Sequence, residues 1–268
     1  MSQRIGLIDL PESDYHAHPA ISKSGLDRIA ISPAHFKAWK AMPDDPTDAM
    51  IFGSLAHRLI LEPEAFESTV VRAPECDRRT KEGKAIWEAF QTENGHKQIL
   101  RPDQYETLAG MAAAWMAHPY YSRVHSLAKH ESSVFWEMDG VHCKARPDII
   151  HPNGMILDLK TTDSAQPLDF QRTIAKYRYH VQAAWYLDGI SKAIGHKFDQ
   201  FCFIAIEKKP PFAIAIYVAT PSMLAEGRQT YMQNFETYAK CLRTDIWPSY
   251  PTEVQPIDLP AWAMGASL

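Results

Sequence analysis

The period of the apolar positions changes near the middle of the chain, and that change separates a helical part from a strand-forming part. Ile21-Ser22-Lys23-Ser24-Gly25-Leu26 marks a helix entry with Ser22 or Ser24 as N-cap. Ser32-Pro33 opens a second helix, through Phe36 and Trp39 to about Met42, because Ser caps well and Pro is tolerated in a first turn. After the loop Pro43-Asp44-Asp45-Pro46, the positions Met50, Ile51, Leu55, Leu59 and Ile60 recur at helical spacing as far as Pro63. His57 falls within that helix. Residues 80–93 and 102–117 are expected to form two more helices, the second begun by Pro102-Asp103.

Beyond these the pattern becomes strand-like. Ser132–Met138 and Val141–Ile150 are expected to be strands joined by the hairpin turn Asp139-Gly140. A second turn, His151-Pro152-Asn153-Gly154, leads into a strand over Met155–Thr161. A helix over Tyr179–Ala193, strands at Phe201–Glu207 and Phe212–Ala219, and a helix from Pro221 to about Leu242 complete the series. Helices, three strands, a helix, two strands and a helix imply an α/β or α+β domain with a mixed sheet, preceded by a helical part. That domain is expected to span residues 1–248, with its helical part at about 20–117, its sheet-containing core at about 130–242, and residues 249–268 as an extended tail.

Composition narrows the classes without choosing among them. The 268 residues, 46% hydrophobic and 22% charged, are those of an ordinary globular chain long enough to bury a core. Met1-Ser2-Gln3-Arg4-Ile5 leads into no apolar run of signal-peptide length, and no stretch approaches the roughly 18 apolar residues of a membrane span. Cys76, Cys143, Cys202 and Cys241 are scattered, without CxxC or zinc-ligand spacing, as expected of reduced thiols in a cytoplasm. The net charge of −4 argues weakly against broad nucleic-acid binding but leaves room for a local basic channel.

The candidate chemistry lies in the central strands. On a strand at Ile156–Lys160, Leu157 and Leu159 point to one face while Asp158 and Lys160 share the other. An acid and a lysine on an otherwise apolar strand are costly to bury without partners. If Pro152, Asn153 and Gly154 stay unpaired in the turn, Asp148 stands directly across from Asp158. Cross-strand Cβ atoms lie about 4.5–5.5 Å apart, so two carboxylates there repel unless a cation sits between them or one is protonated. Hard oxygen ligands suit Mg2+. A metal held by Asp148 and Asp158, with Lys160 beside it to orient water or stabilise developing negative charge, implies phosphodiester hydrolysis. For the Asp158/Lys160 pair alone, a surface hairpin carrying a salt bridge is the simpler alternative.

Arg146-Pro147-Asp148 followed by Asp158-Leu159-Lys160 resembles the signature of the PD-(D/E)xK nuclease superfamily. Gln182-Ala183-Ala184-Trp185-Tyr186 is similar to the QxxxY motif of its RecB-like branch, and His57 in Gly53-Ser54-Leu55-Ala56-His57 to that branch's upstream histidine. Tyr15-His16 through Ser32-Pro33-Ala34-His35-Phe36, together with Tyr179–Tyr186, resembles the RecE group, the C-terminal domain of exonuclease VIII and its phage-encoded relatives, over about residues 14–190. The resemblance implies a restriction-endonuclease-like core, a mixed sheet flanked by helices. It implies His57, Asp148, Asp158 and the backbone carbonyl of Leu159 as metal ligands, Lys160 as the catalytic lysine, and Gln182 and Tyr186 as residues that shape the site or contact DNA. It implies a Mg2+-dependent exonuclease, with Mn2+ as a substitute ion, that degrades double-stranded DNA ends 5′→3′ in the cytoplasm of a bacterial host cell. Its 3′ tails would serve recombination by strand annealing. Ring-like homo-oligomers, tetramer or trimer, and a single-strand annealing protein are the implied partners. The iron–sulfur members of the branch need four grouped cysteines, which this chain lacks.

Further residues have two readings each. Ser22, Ser24 and Arg28 suit a terminal 5′-phosphate, and helix capping explains the serines equally. Arg78, Arg79, Lys81 and Lys84 form either a phosphate-tracking surface or a solvated helix start. Glu131 either adds a carboxylate to the site or ends a strand in solvent. The rival functions are another PD-(D/E)xK nuclease, endonucleolytic or 3′→5′, and a catalytically silent DNA-end-binding module.

Overall fold

The computed structural model describes residues 5–43 and 45–259. The expectations for Met1–Arg4, for Asp44 and for the tail beyond residue 259 lie outside them. Helical spacing in the first half is realised as α2 (Lys23–Ile31), α3 (Pro33–Ala41) and α4 (Asp48–Leu61), preceded by the short strand β1 (Gly6–Ile8) and a helix α1 (Glu12–Ala17) in a segment without clear periodicity. Next come α5 (Pro63–Thr69), β2 (Val70–Arg72), α6 (Lys81–Asn94), β3 (Gln98–Leu100), α7 (Pro102–Met116) and α8 (Tyr121–His125). The second half runs β4 (Lys129–His130), β5 (Ser133–Met138), β6 (Val141–Ala145), β7 (Ile149–His151) and β8 (Met155–Thr162). It closes with α9 (Pro167–Lys176), α10 (Tyr179–Ile194), β9 (Gln200–Glu207), β10 (Ile214–Val218) and α11 (Pro221–Thr244).

The helix starts follow their caps. Ser22 Oγ accepts from the Gly25 N–H, Ser32 Oγ from that of His35, and Thr47 and Thr80 do the same for α4 and α6. One expectation is corrected: Val141–Ile150 is not one strand. It breaks at Arg146-Pro147-Asp148 into β6, in a three-stranded sheet ordered β1-β5-β6, and β7, in a five-stranded sheet ordered β10-β9-β8-β7-β4. Pro147 has no N–H to give a ladder, which suits a point where the chain changes sheets. The larger sheet is mixed, because β8 runs parallel to β9 and antiparallel to β7.

Each face of that sheet has its own apolar layer. Ile149, Leu157, Leu159, Ile204 and Ile206 pack with Leu55, Ile60, Leu108, Met111 and Trp115 of α4 and α7. Ile150, Ile156, Phe201 and Phe203 join Val181, Trp185, Leu224 and Phe235 of α10 and α11, together with Trp136 of β5. Alternation along β8 therefore turns Leu157 and Leu159 toward α4, as expected, and leaves Asp158 and Lys160 on the opposite side.

The N-terminal segment is tied to this frame by a buried lysine. Lys144 of β6 donates to the carbonyls of Tyr15 and His18, the latter at 2.8 Å, and its ammonium lies 4.5 Å from the Tyr15 ring centroid. Leaving such carbonyls buried and unpaired costs about 1–3 kcal/mol. Lys144→Met should therefore lose about that much in a urea unfolding titration; an unchanged midpoint would show that the segment is held by other contacts.

Candidate active site

Asp148 lies one residue before the first ladder pair, Ile149 opposite Leu157, so continuing the register sets it opposite Asp158 as the turn length implied. Because β7 starts only at Ile149, Leu159 has no strand residue for its N–H on that side. The Asp148 carboxylate takes that place, accepting from Leu159 N at 2.6 Å through Oδ2. Its backbone carbonyl accepts from Glu131 N at 3.0 Å. Both carboxylates are buried, Asp148 at 6% and Asp158 at 1% exposure.

Four elements converge on these two acids. From α4, His57 Nδ1 stands 3.3 Å from Asp148 Oδ2. Gln182 on α10 donates to Asp158 Oδ2 at 2.7 Å. The Lys160 ammonium lies against Asp158 Oδ1, without a well-aligned hydrogen bond, and 4.4 Å from the Tyr179 ring centroid. Glu131, between β4 and β5, has a left-handed backbone at φ 43°. A non-glycine residue persists there only when its surroundings hold it, and such positions gather at functional sites. Arg146 holds Glu131 through Nε at 3.1 Å and also donates to Ser133 Oγ at 2.7 Å and the Leu10 carbonyl at 3.0 Å.

The electrostatics follow from burial and from the pairing of these charges. Burial, and then the neighbouring Asp148, push Glu131 up to about 8 against the pull of His57 and Arg146. Burial and Asp148 likewise raise Asp158 to about 6 despite Lys160. Burial opposes the charge on His57, yet the facing Asp148 more than reverses this and lifts the imidazole to about 9. Burial would also raise Asp148, but His57, Lys160 and the Leu159 N–H hold it below the usual range. Burial disfavours the Lys160 ammonium too, and Asp158 keeps its pKa above the ordinary value. His57 and Lys160 supply positive charge that lets these carboxylates share one buried space. Ligand atoms of His57, Glu131 and Asp148 all lie within 4.8 Å of one another, a spacing one ion can bridge. Two carboxylates and an imidazole fit a hard divalent cation, while Asp158, next to them, is engaged by Gln182 and Lys160.

The structure thus brings together His57, Asp148, Asp158, Lys160 and Gln182, and adds Glu131 to them. Tyr186 is one step removed, donating to the Arg146 carbonyl at 3.4 Å and so bearing on the bend that positions Asp148. For Leu159 the observed contact uses the N–H. Ser22 serves as the α2 cap, Ser24 is exposed, and Arg28 lies 5.8 Å from the Trp39 ring centroid. The basic cluster before α6 stands apart from the acids: Arg78 stacks on Trp87 at 4.3 Å, and Arg79 pairs with Asp77 at 3.0 Å. Lys81 and Lys84 are exposed.

A family model for a PDDEXK-like domain of unknown function (DUF3799) matches residues 22–260. Among solved structures, a Eubacterium rectale protein provisionally described as an exonuclease aligns with 97% of this chain and 100% of its own. Its TM-score is 0.65 at 16% identity, a likeness of fold. An alkaline exonuclease from Laribacter hongkongensis aligns with 88% of this chain and 96% of its own, at 12% identity and a TM-score of 0.36. No curated protein matches the chain in sequence.

Proposed function

Since the chain belongs to the PDDEXK-like domain family DUF3799, we propose that it is a metal-dependent exodeoxyribonuclease that hydrolyses phosphodiester bonds at the ends of double-stranded DNA. The observation that carries this reading is the burial of Asp148 and Asp158 beside Lys160, with His57 and Glu131 closing the same space. His57, Asp148, Asp158 and the Leu159 carbonyl are the proposed ligands of Mg2+, with Mn2+ as a substitute, and Glu131 is a further carboxylate within reach. A bound divalent cation would supply Lewis-acid polarisation of the scissile phosphate.

The remaining work falls to the chain's own groups. Lys160, held by Asp158 and the Tyr179 ring, presents an ammonium that orients the attacking water and stabilises charge developing on the phosphate. Gln182 fixes the rotamer of Asp158, which keeps the second carboxylate aimed into the site. Tyr186 supports the Arg146–Asp148 bend.

The 5′→3′ polarity, the 3′ tails for strand annealing, the ring-like trimer or tetramer and the annealing partner rest on the RecE-like motifs from Tyr15 to Tyr186. Ser22, Ser24, Arg28, Arg78, Arg79 and Lys81 are the proposed DNA contacts. A bacterial cytoplasm is the proposed location; no helix among the described residues is long and apolar enough to cross a membrane.

Incubation of 5′- and 3′-end-labelled linear duplex with Mg2+ tests the reading. Mononucleotides should be released from the 5′ end, EDTA should abolish release, and added Mg2+ or Mn2+ should restore it. Linearisation of covalently closed circles would instead mark an endonuclease. DNA binding in Ca2+ with no cleavage in Mg2+ or Mn2+ would mark a silent module.

A further inference from the structure

A second charged cluster lies beside Lys160 and takes no part in holding the acids. Lys23 and Asp27, one turn apart on α2, form an ion pair at 2.7 Å. Asp27 also faces Arg178, in the joint between α9 and α10, with Oδ1 3.0 Å from Nε. Lys23 donates in addition to the Tyr177 carbonyl at 2.9 Å. One carboxylate therefore serves two cations whose side chains are only 13% and 29% exposed, and one unit of positive charge is left over. The hydrogen-bond inventory repeats the imbalance. Arg178 Nη2 is buried with no partner, and Nε and Asp27 Oδ1 face each other without an aligned hydrogen bond. A guanidinium N–H buried and unpaired is costly, more so than a neutral donor.

Three further observations give the cluster a direction. Arg178 has φ 56° and ψ 41°, a left-handed backbone that arginine has no intrinsic reason to adopt. Tyr177 and Tyr179, on either side of it, stack at 5.6 Å, and Tyr179 is the ring beneath the Lys160 ammonium. Burial draws the Lys23 ammonium below its usual range against the pull of Asp27, and the charges of Lys160 and Arg178 deepen that depression. The three cations thus sense one another across a single patch.

We propose that Lys23, Asp27 and Arg178 form a phosphate-binding site for the strand whose scissile bond lies at Lys160. A tetrahedral phosphate brings the negative charge the cluster lacks and acceptor oxygens for the exposed parts of the Lys23 and Arg178 side chains, a ligand arginine recognises well. Asp27 holds the two cations apart and in place. It also tempers their charge, so that a phosphate is held but released as the strand advances. The identity of the ligand as a nucleic-acid phosphate rests on the nuclease reading above; the anion site itself does not.

The phosphate is either the end group of a strand or an internal diester, and the substrate separates these. In EDTA, inorganic phosphate should raise the melting temperature of the wild-type chain, and Arg178→Gln and Lys23→Gln should lose that rise. Asp27→Asn should bind inorganic phosphate several-fold more tightly, because it removes the competing anion; a cluster that merely clamps α2 to α10 would show no such gain. On linear duplex with Mg2+, Arg178→Gln should raise KM about ten-fold, the effect of one charge-assisted hydrogen bond. A rise confined to 5′-phosphorylated ends assigns the end group, and an equal rise with 5′-hydroxyl ends assigns an internal phosphate. If Arg178→Gln does not fold, Arg178→Lys and Asp27→Asn supply the same comparison. Unaltered phosphate binding in all these variants, with unaltered KM, overturns the site. A wild-type chain that binds phosphate but cleaves no DNA instead overturns the nuclease reading alone.

Discussion

Lys160→Ala should lower the rate of strand cleavage about 10²–10³-fold, the scale of removing one preorganised donor to developing negative charge. Burial disfavours the Lys160 ammonium, but Asp158 outweighs it and holds the pKa above the ordinary value, so the group is a cation near neutral pH. Its loss also alters Asp158, whose pKa is already raised to about 6 by burial and Asp148. Without the lysine, Asp158 is driven further toward its protonated form and becomes a poorer metal ligand. Protonation also spares the variant a bare buried charge, the usual reason that breaking a buried pair is so destabilising. The variant should therefore remain folded, keep binding duplex DNA in Ca2+, and require more Mg2+ for its residual activity. Single-turnover digestion of end-labelled duplex measures the effect, with circular dichroism as the check on folding. More than a tenth of wild-type activity would remove Lys160 from the reaction.

Gly227→Ala should destabilise the fold by about 3 kcal/mol, the upper end for overpacking. A Cβ at Gly227 would lie 2.1 Å from the backbone carbonyl oxygen of His180 and 2.7 Å from its carbon. Both atoms belong to rigid helix backbone, so α10 and α11 would have to separate. His180 precedes Gln182 by two residues, and Gln182 holds Asp158 at 2.7 Å, so the strain reaches the site. Cleavage should fall along with stability. Gly53→Ala in α4 is the informative control. The nearest atom there is Thr161 Oγ1 at 3.9 Å, an ordinary contact. Relief of glycine's backbone entropy should make that variant neutral or more stable by up to about 1 kcal/mol. Equal unfolding midpoints for the two variants would show that close approach of α10 and α11 is not what Gly227 provides.

Most of the long elements and the centre of the site were legible because their signals are local, although α9 at Pro167–Lys176 was not foreseen. Ser22 and Ser32, both expected as caps, hold helix starts through side chains that reach three residues along the chain. The alternation of Leu157, Asp158, Leu159 and Lys160 fixes which side chains share a face once the strand forms. A three-residue turn at 152–154 sets the register, and the pairing of His151 with Met155 follows it. That register places Asp148 across from Asp158 without knowledge of any other part of the fold.

What was hidden depends on residues far apart in sequence. The strands β1, β2, β3 and β4 are two or three residues long, too short for any period, and exist because a neighbouring strand supplies their hydrogen bonds. The run at 141–150 looks continuous because apolar alternation does not reveal which sheet each half will join. Sequence leaves Glu131 with two readings, a site carboxylate or a solvated strand end; Arg146 and a left-handed backbone turn it toward Asp148. Arg178 meets Asp27 across a long stretch of chain through the packing of α10 on α2. Sequence alone could therefore specify two acids and a lysine facing one another. Only the folded chain decides which other charges are buried beside them, because burial and charge pairing are properties of distance in space.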